Sequence, residues 1–140
     1  MISIDTNVLL RYILEDDVKQ FKKASTLIQT NPPVLITDVV LVETVWTLTG
    51  KRYSFNKDLI CTLIHGLLGD GDFIFENNQV IWAALRDYEE SKPVRKKELD
   101  FADSLIFNKS QLVAKNKGTN LLGFYSFDKA MEQLGGVKSP

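Results

Sequence analysis

Residues 1–14 have the sequence MISIDTNVLLRYIL, in which two apolar segments are separated by polar residues. Residues 1–4 predict a short apolar strand, and the apolar positions from Val8 to Leu14 predict one face of a helix. Asp5, Thr6 and Asn7 separate the two segments. A carboxylate between two apolar segments needs either a structural role, such as capping the helix, or a chemical one.

The same alternation of strand and helix continues to the end of the chain, and it predicts an α/β fold with a mainly parallel central sheet. We find no linker, repeat or low-complexity segment, so residues 1–140 are expected to form a single domain. The predicted strands are Ile2–Asp5, Val34–Thr37, Phe73–Phe75 and Leu121–Ser126. The predicted helices are Thr6–Leu14, a second helix capped by Asp16 or Asp17 and ended by the NPP sequence, Val39–Thr49 capped by Asp38, Lys57–Leu68, Gln79–Ser91 capped by Asn78, Asp100–Lys117 and Asp128–Leu134.

The composition is typical of a water-soluble protein, with 44% hydrophobic and 25% charged residues. The net charge of −1 neither favours nor excludes a nucleic-acid partner, because binding depends on where the positive charges lie. The only cysteine, Cys61, cannot form an internal disulfide. The N-terminus lacks signal-peptide features, and no run of about 18 apolar residues could span a membrane. We therefore expect a cytoplasmic protein.

Acidic residues follow several of the predicted strands. In open parallel sheets, ligands bind beyond the carboxyl ends of the strands, so these acids are candidate site residues. Each also has a structural interpretation, because aspartates cap helices and favour helix N-termini. Capping explains Asp100 and Asp128 better than chemistry does, whereas the two interpretations weigh equally for Asp5. The candidate acids are Asp5, Glu43, Asp103 and Asp128, with Asp100 one turn before Asp103.

Glu43 is difficult to explain as a cap, because it lies in the middle of the third predicted helix. Apolar residues surround it in sequence, which predicts a buried carboxylate that needs a partner or a shifted pKa. Its neighbours one turn away are Val39, Val40, Trp46 and Thr47, so no local cation neutralises it.

Convergence of the four acids on one crevice predicts a metal site. Two carboxylates about 5 Å apart repel by roughly 3 kcal/mol at an effective dielectric constant near 20. A divalent cation removes this repulsion, and a set of oxygen ligands suits Mg²⁺ or Mn²⁺ rather than Zn²⁺. The single His65 and single Cys61 provide no zinc cluster. The chain also lacks a phosphate-binding G-x-x-x-x-G-K-[ST] loop and a G-x-S-x-G nucleophile motif.

Four segments in this order resemble a PIN domain, specifically the small bacterial endoribonuclease toxins of the VapC type. They are IDTNVLL at the start, Glu43 after the second strand, DFADSLI at 100–106 and YSFDKAM at 125–131. The resemblance implies a three-layer α/β/α PIN-like fold and a Mg²⁺- or Mn²⁺-dependent site that hydrolyses RNA. Asp5, Glu43 and Asp103 correspond to the family's acidic trio and Asp128 to its fourth acid. The supporting residues would be Thr6, Asn7, Asp100 and Ser126.

The resemblance also implies partners. The substrate would be RNA, and the basic run Arg95, Lys96 and Lys97 beside the catalytic helix is the best candidate for phosphate contacts. A small antitoxin protein and a homodimer are expected by analogy. Two alternatives remain open: a PIN nuclease that processes RNA or cuts DNA without an antitoxin, and a non-catalytic binding module whose carboxylates hold a structural cation or cap helices.

Overall fold

Strands and helices alternate along the chain, as the sequence predicts. The computed structural model describes residues 1–140, and its internal contacts divide them into two units, Met1–Asn78 and Gln79–Pro140. No helix is both long and apolar enough to cross a membrane. The first unit contains β1 (Ile2–Ser3), α1 (Thr6–Leu14), α2 (Val18–Thr30), β2 (Val34–Ile36), α3 (Asp38–Thr49), α4 (Lys57–Gly69) and β3 (Phe73–Phe75). Then follow α5 (Asn78–Glu90), α6 (Phe101–Asn116), β4 (Phe124–Tyr125), a 3₁₀ helix (Lys129–Gln133) and β5 (Val137–Lys138).

The first unit is built on a three-stranded parallel sheet in the order β1–β2–β3. Val34 in the central strand pairs with Ile2 on one side and with Phe73 on the other. Because all three strands run in the same direction, their carboxyl ends meet at one edge of the sheet. The confirmed α/β character of this unit therefore provides the kind of edge at which ligands bind in such folds.

Helices α1 and α3 pack close to one another in the first unit, and α1 also packs against α2. Leu9 of α1, Ile28 of α2 and Leu41 of α3 are fully buried, as is Ile36 of the central strand. These side chains form the apolar core that fixes where α1 and α3 begin at the sheet edge.

The second unit packs α5 against α6. Ser104 is fully buried and its Oγ donates a hydrogen bond to the carbonyl oxygen of Ala84, 2.7 Å away. The rings of Tyr88 and Phe101 meet edge to face, 5.7 Å between centroids. These contacts hold the first turn of α6 in a fixed position on α5.

A smaller apolar cluster joins the loop before α6 to the C-terminal region. It contains Leu99, Phe107, Ala130, Met131 and Leu134, all buried. Strands β4 and β5 pair in parallel beside it and form a two-stranded sheet connected through the 3₁₀ helix.

Several predicted boundaries were wrong. Strand β1 ends at Ser3 and β4 covers only Phe124–Tyr125, because each strand has only two paired residues in its ladder. Helix α3 is capped by Thr37, not by Asp38. The predicted last helix is a 3₁₀ helix, and β5 was not predicted because its two residues carry no periodic pattern. Asn78 begins α5, and its Oδ1 accepts a hydrogen bond from the amide of Phe75.

Candidate functional site

In the first unit, two of the predicted site residues are in direct contact. Thr6 Oγ1 donates a hydrogen bond to Glu43 Oε2 over 3.2 Å. This bond joins residues 37 positions apart in sequence and links the start of α1 to the second turn of α3. The segment after β1 and the acid on the helix after β2 are therefore neighbours in space.

Asp5 is the N-cap of α1. Its backbone is extended, and its Oδ1 accepts a hydrogen bond from the amide of Val8 at 2.9 Å. Thr6 and Asn7 lie inside the helix, so Asp5 itself caps α1 and neither of these neighbours does. The cap engages one carboxylate oxygen, and a carboxylate has a second oxygen that can accept from another partner or bind a cation.

Glu43 is exposed, and the prediction that it is buried was wrong. Helix α3 turns Leu41 and Leu48 into the core, and Glu43 lies on a different face together with Val39 and Trp46. Those two apolar side chains are themselves 65% and 55% exposed. An apolar sequence around a residue therefore did not imply burial here, because only one face of the helix packs.

In the second unit, Asp100 and Asp128 cap helices, as their structural interpretation predicts. Asp100 caps α6 and accepts from the amide of Ala102 at 3.0 Å. Asp128 caps the 3₁₀ helix and accepts from the amide of Ala130 at 2.9 Å.

Asp103 lies in the first turn of α6 and is partly buried. Burial raises the pKa of its carboxyl above the ordinary value, and the negative charges of Asp100 and Asp128 raise this pKa further. The positive charge of Lys97 offsets part of the effect. The three acids of this unit therefore interact electrostatically as one cluster, which we call the acidic cluster (Asp100, Asp103 and Asp128).

Lys97 provides the acidic cluster with a counter-charge. Its Nζ lies 3.0 Å from Oδ2 of Asp128. Burial alone would raise the pKa of Asp128, but the hydrogen bond and charge of Lys97, together with the Ala130 amide, lower it below the ordinary value. All three residues of the basic run are exposed, but only Lys97 forms an ion pair with the acidic cluster.

Ser126 supports Asp128 through the backbone. Its Oγ accepts a hydrogen bond from the amide of Asp128 at 3.0 Å, and its own amide donates to the carbonyl of Lys138. These two bonds set the direction in which the chain leaves β4, and with it the direction of the Asp128 carboxylate.

Asn7 is the predicted supporting residue with the least structural definition. It is exposed and lines a cavity of about 290 Å³ between α1 and α2. Arg11 and Lys23 line the same cavity. Asn7 therefore contributes to a polar surface next to Asp5, and no hydrogen bond gives it a defined role in the geometry of the first loop.

Two residues that belong to these arrangements were missed from the sequence. Glu76 directly follows β3, and its Oε2 accepts a hydrogen bond from the amide of Asp38 at 2.7 Å. Glu76 also meets the criterion that acids directly after strands are candidate site residues. Gln133 accepts a hydrogen bond from the backbone amide of Lys92, 41 positions away, and no local sequence pattern predicts such a contact.

The structure thus brings Thr6 and Glu43 together in the first unit, and Asp100, Asp103, Asp128 and Lys97 together in the second. It contains no group of three or more histidine, cysteine, aspartate or glutamate side chains arranged to hold a metal ion. Comparison of the chain with protein-family models, with curated proteins and with solved structures found no match.

Proposed function

We propose that the chain is a metal-dependent endoribonuclease with a three-layer PIN-like fold, and that it is the toxin of a toxin–antitoxin pair. The observation that carries the proposal is the acidic cluster, in which partly buried Asp103 lies in the negative field of Asp100 and Asp128. Folding gains nothing from crowding like charges around a desolvated carboxylate. Such arrangements are typical of functional sites.

The donor chemistry fits a hard divalent cation. Asp5, Glu43, Asp103 and Asp128 offer only carboxylate oxygens, the ligands that Mg²⁺ and Mn²⁺ prefer. Asp128 already attracts a cation, the ammonium group of Lys97. These four acids would hold the metal, which when bound supplies Lewis acidity for attack of water on a phosphodiester.

The neighbouring side chains have positioning roles in this proposal. Thr6 directs the Glu43 carboxylate through its hydrogen bond, and Ser126 orients Asp128 through the backbone. Asp100 orients the attacking water from the edge of the acidic cluster.

Arg95 and Lys96 are proposed to hold the RNA. Both are exposed at the tip of the loop that precedes α6, so their positive charges are available for phosphate groups. Contacts of this kind bind RNA and DNA alike and weaken as salt concentration rises. The antitoxin would bring a cationic side chain to the acids and block the site by charge pairing. Assembly as a homodimer is also part of the proposal.

A non-catalytic binding module is the second candidate, and one specific observation favours it. Asp5, Asp100 and Asp128 all cap helices through their side chains. If capping were their whole purpose, asparagine would replace each of them without functional loss, because its side-chain oxygen makes the same cap.

The experiment that tests the proposal is cleavage of a mixed RNA substrate and a matched DNA by the purified chain, with Mg²⁺, with Mn²⁺ and with EDTA. Wild type is expected to cut RNA only when metal is present, and Asp5→Asn and Asp103→Asn are expected to be inactive although folded. Cutting of DNA but not RNA would favour the DNA-directed nuclease. Full activity in both variants would exclude these acids from the chemistry.

A further inference from the structure

The loop that carries Lys97 is anchored at both ends to the same short element. At one end, the amide of Lys92 donates to Oε1 of Gln133 at 2.9 Å, and Nε2 of Gln133 donates back to the carbonyl of Lys92 at 3.1 Å. At the other end, Leu99 is 1% exposed and packs with Met131 and Leu134. Because Gln133 and Met131 belong to the 3₁₀ helix that Asp128 caps, the loop and Asp128 are fixed relative to each other.

Between these anchors the chain makes a tight turn. The amide of Val94 donates to the carbonyl of Lys97 at 2.9 Å, and the amide of Lys97 donates to the carbonyl of Val94 at 3.0 Å. Arg95 and Lys96, at the centre of the turn, have φ angles of 52° and 65°. Residues other than glycine adopt this left-handed backbone conformation only at a cost in free energy. The two hydrogen bonds between Val94 and Lys97 hold the turn in this conformation.

The turn directs the Lys97 side chain to the acidic cluster. Its Nζ contacts Asp128 Oδ2, and the charges of Asp103 and Asp100 also stabilise its protonated form. A lysine at this position could equally have extended into solvent, as its side chain is 66% exposed. The acidic cluster therefore attracts the exposed ammonium group of Lys97 to a position that the backbone turn has prepared.

We propose that Lys97 is an internal counter-cation of Asp128, which a divalent cation must displace in order to bind. This inference rests on the proposed function, because it takes Asp128 as a metal ligand. In the metal-free protein Lys97 neutralises part of the negative charge of the acidic cluster. A divalent cation held by Asp128 would repel the ammonium group of Lys97, whose side chain is exposed and would then extend into solvent. Lys97 is thus a positioning residue that sets the threshold of metal affinity.

The test is titration of the metal-free protein with Mn²⁺, followed by electron paramagnetic resonance of the free ion. Lys97→Met removes the counter-cation, and Lys97→Arg retains it. Lys96→Met is the matched control, because it removes the same charge from the neighbouring position of the turn, whose side chain has no ion pair with the acidic cluster. Thermal unfolding of wild type and the three variants without metal checks that all four proteins are folded. If Lys97→Met is unfolded, Lys97→Gln replaces it.

We expect Lys97→Met to bind Mn²⁺ about three- to tenfold more tightly than wild type, in line with the strength of an exposed ion pair and the loss of a nearby positive charge. Lys97→Arg should remain close to wild type, and Lys96→Met should change by less than about twofold. Equal affinity of wild type and Lys97→Met would overturn the inference, and so would weaker binding by Lys97→Met. These outcomes leave the nuclease proposal intact, whereas absence of Mn²⁺ binding in wild type and Lys97→Met alike would overturn both.

Discussion

The hydroxyl of Thr6 donates to Glu43 Oε2 over 3.2 Å and so joins the first turn of α1 to the second turn of α3. Glu43 is exposed, and the hydrophobic core does not need this contact. A hydrogen bond between such groups contributes little to the free energy of unfolding, because water replaces either partner. Its consequence is orientation, since it fixes the direction of the Glu43 carboxylate beside the first turn of α1.

Replacement of Thr6 by valine tests this orienting role. Thr6→Val is expected to lower Mn²⁺ affinity and RNA cleavage several-fold while changing the free energy of unfolding by less than about 1 kcal/mol. Thr47→Val is the control, because Thr47 lies on the same helix as Glu43 but its hydroxyl donates to the backbone carbonyl of Glu43. Equal losses of Mn²⁺ affinity in the two variants would argue against a role for the Thr6 side chain.

Asp5 allows capping and chemistry to be separated. Asp5→Ala should cost about 1 kcal/mol of unfolding free energy, because the Val8 amide loses its acceptor, whereas Asp5→Asn keeps the cap and most of the stability. Both variants should lose RNA cleavage if the charge of Asp5 is chemically required. Chemical denaturation and the cleavage assay measure the two effects independently.

Asp17 provides the control for Asp5. It caps α2 in the same way, accepting from the amide of Gln20 at 3.0 Å, and it is not among the candidate site residues. Asp17→Asn should leave both stability and cleavage close to wild type. Loss of cleavage in Asp17→Asn would mean that any change of charge near the N-terminus abolishes activity. Loss of cleavage in Asp5→Asn would then be no evidence for a chemical role of Asp5.

The raised pKa of Asp103 predicts an unusual dependence of stability on pH. Its folded pKa lies above the unfolded one, so the charged form is penalised in the folded state and stability falls as pH rises through the folded pKa. In EDTA, Asp103→Asn should therefore have a higher Tm than wild type at about pH 7. The difference should shrink as the pH falls toward the ordinary value of 3.8, where the wild-type carboxyl becomes neutral. A lower Tm of Asp103→Asn at neutral pH would contradict this account.

Asp128 should behave in the opposite way, although it belongs to the same acidic cluster. Its pKa is lowered by Lys97 and by the Ala130 amide against the effect of burial, so its contribution to stability is present above the unfolded pKa and is lost as pH falls through the folded one. Asp128→Asn keeps a cap but loses the ion pair, and its Tm in EDTA should fall slightly below that of wild type at about pH 7. Thermal unfolding over the same pH range measures both variants, and an unchanged Tm would mean that the ion pair contributes nothing to folding.

Arg95 and Lys96 are predicted to bind RNA through phosphate contacts alone. The double variant Arg95→Gln, Lys96→Gln should bind RNA more weakly, and its affinity should depend less steeply on salt concentration than that of wild type. Fluorescence anisotropy with the inactive Asp103→Asn protein as background avoids cleavage during the measurement. An unchanged salt dependence would place the RNA contacts elsewhere on the chain.

The local pattern of the sequence predicted most helices correctly, because their stability comes from apolar positions and caps close together in the chain. Helix α1 begins and ends as predicted, and Asp17 and Asp100 are caps as proposed. Burial of Glu43 was predicted wrongly, since apolar residues occur on nearly every face of α3 and only packing decides which face is covered. Glu43 shows that composition alone does not reveal the buried face of a helix with apolar residues on most sides.

The contacts that define the candidate site lie beyond local patterns. Lys97 was predicted to contact RNA phosphates together with Arg95 and Lys96, and its ion pair with Asp128 was not predicted. This ion pair depends on a turn held by Val94 and by the distant Gln133. Such a contact depends on how separate parts of the chain fold together, which residue spacing does not encode. Glu76 is different, because its place after β3 was visible in the sequence.

The most direct test of the central claim is Mn²⁺ binding, measured by calorimetry on wild type, Asp5→Asn and Asp103→Asn, with Asp17→Asn as control. The account predicts that wild type and Asp17→Asn bind the ion, and that Asp5→Asn and Asp103→Asn each bind it about tenfold more weakly or not at all. No binding by folded wild type, or full affinity in both Asp5→Asn and Asp103→Asn, would contradict the claim that these acids bind the metal.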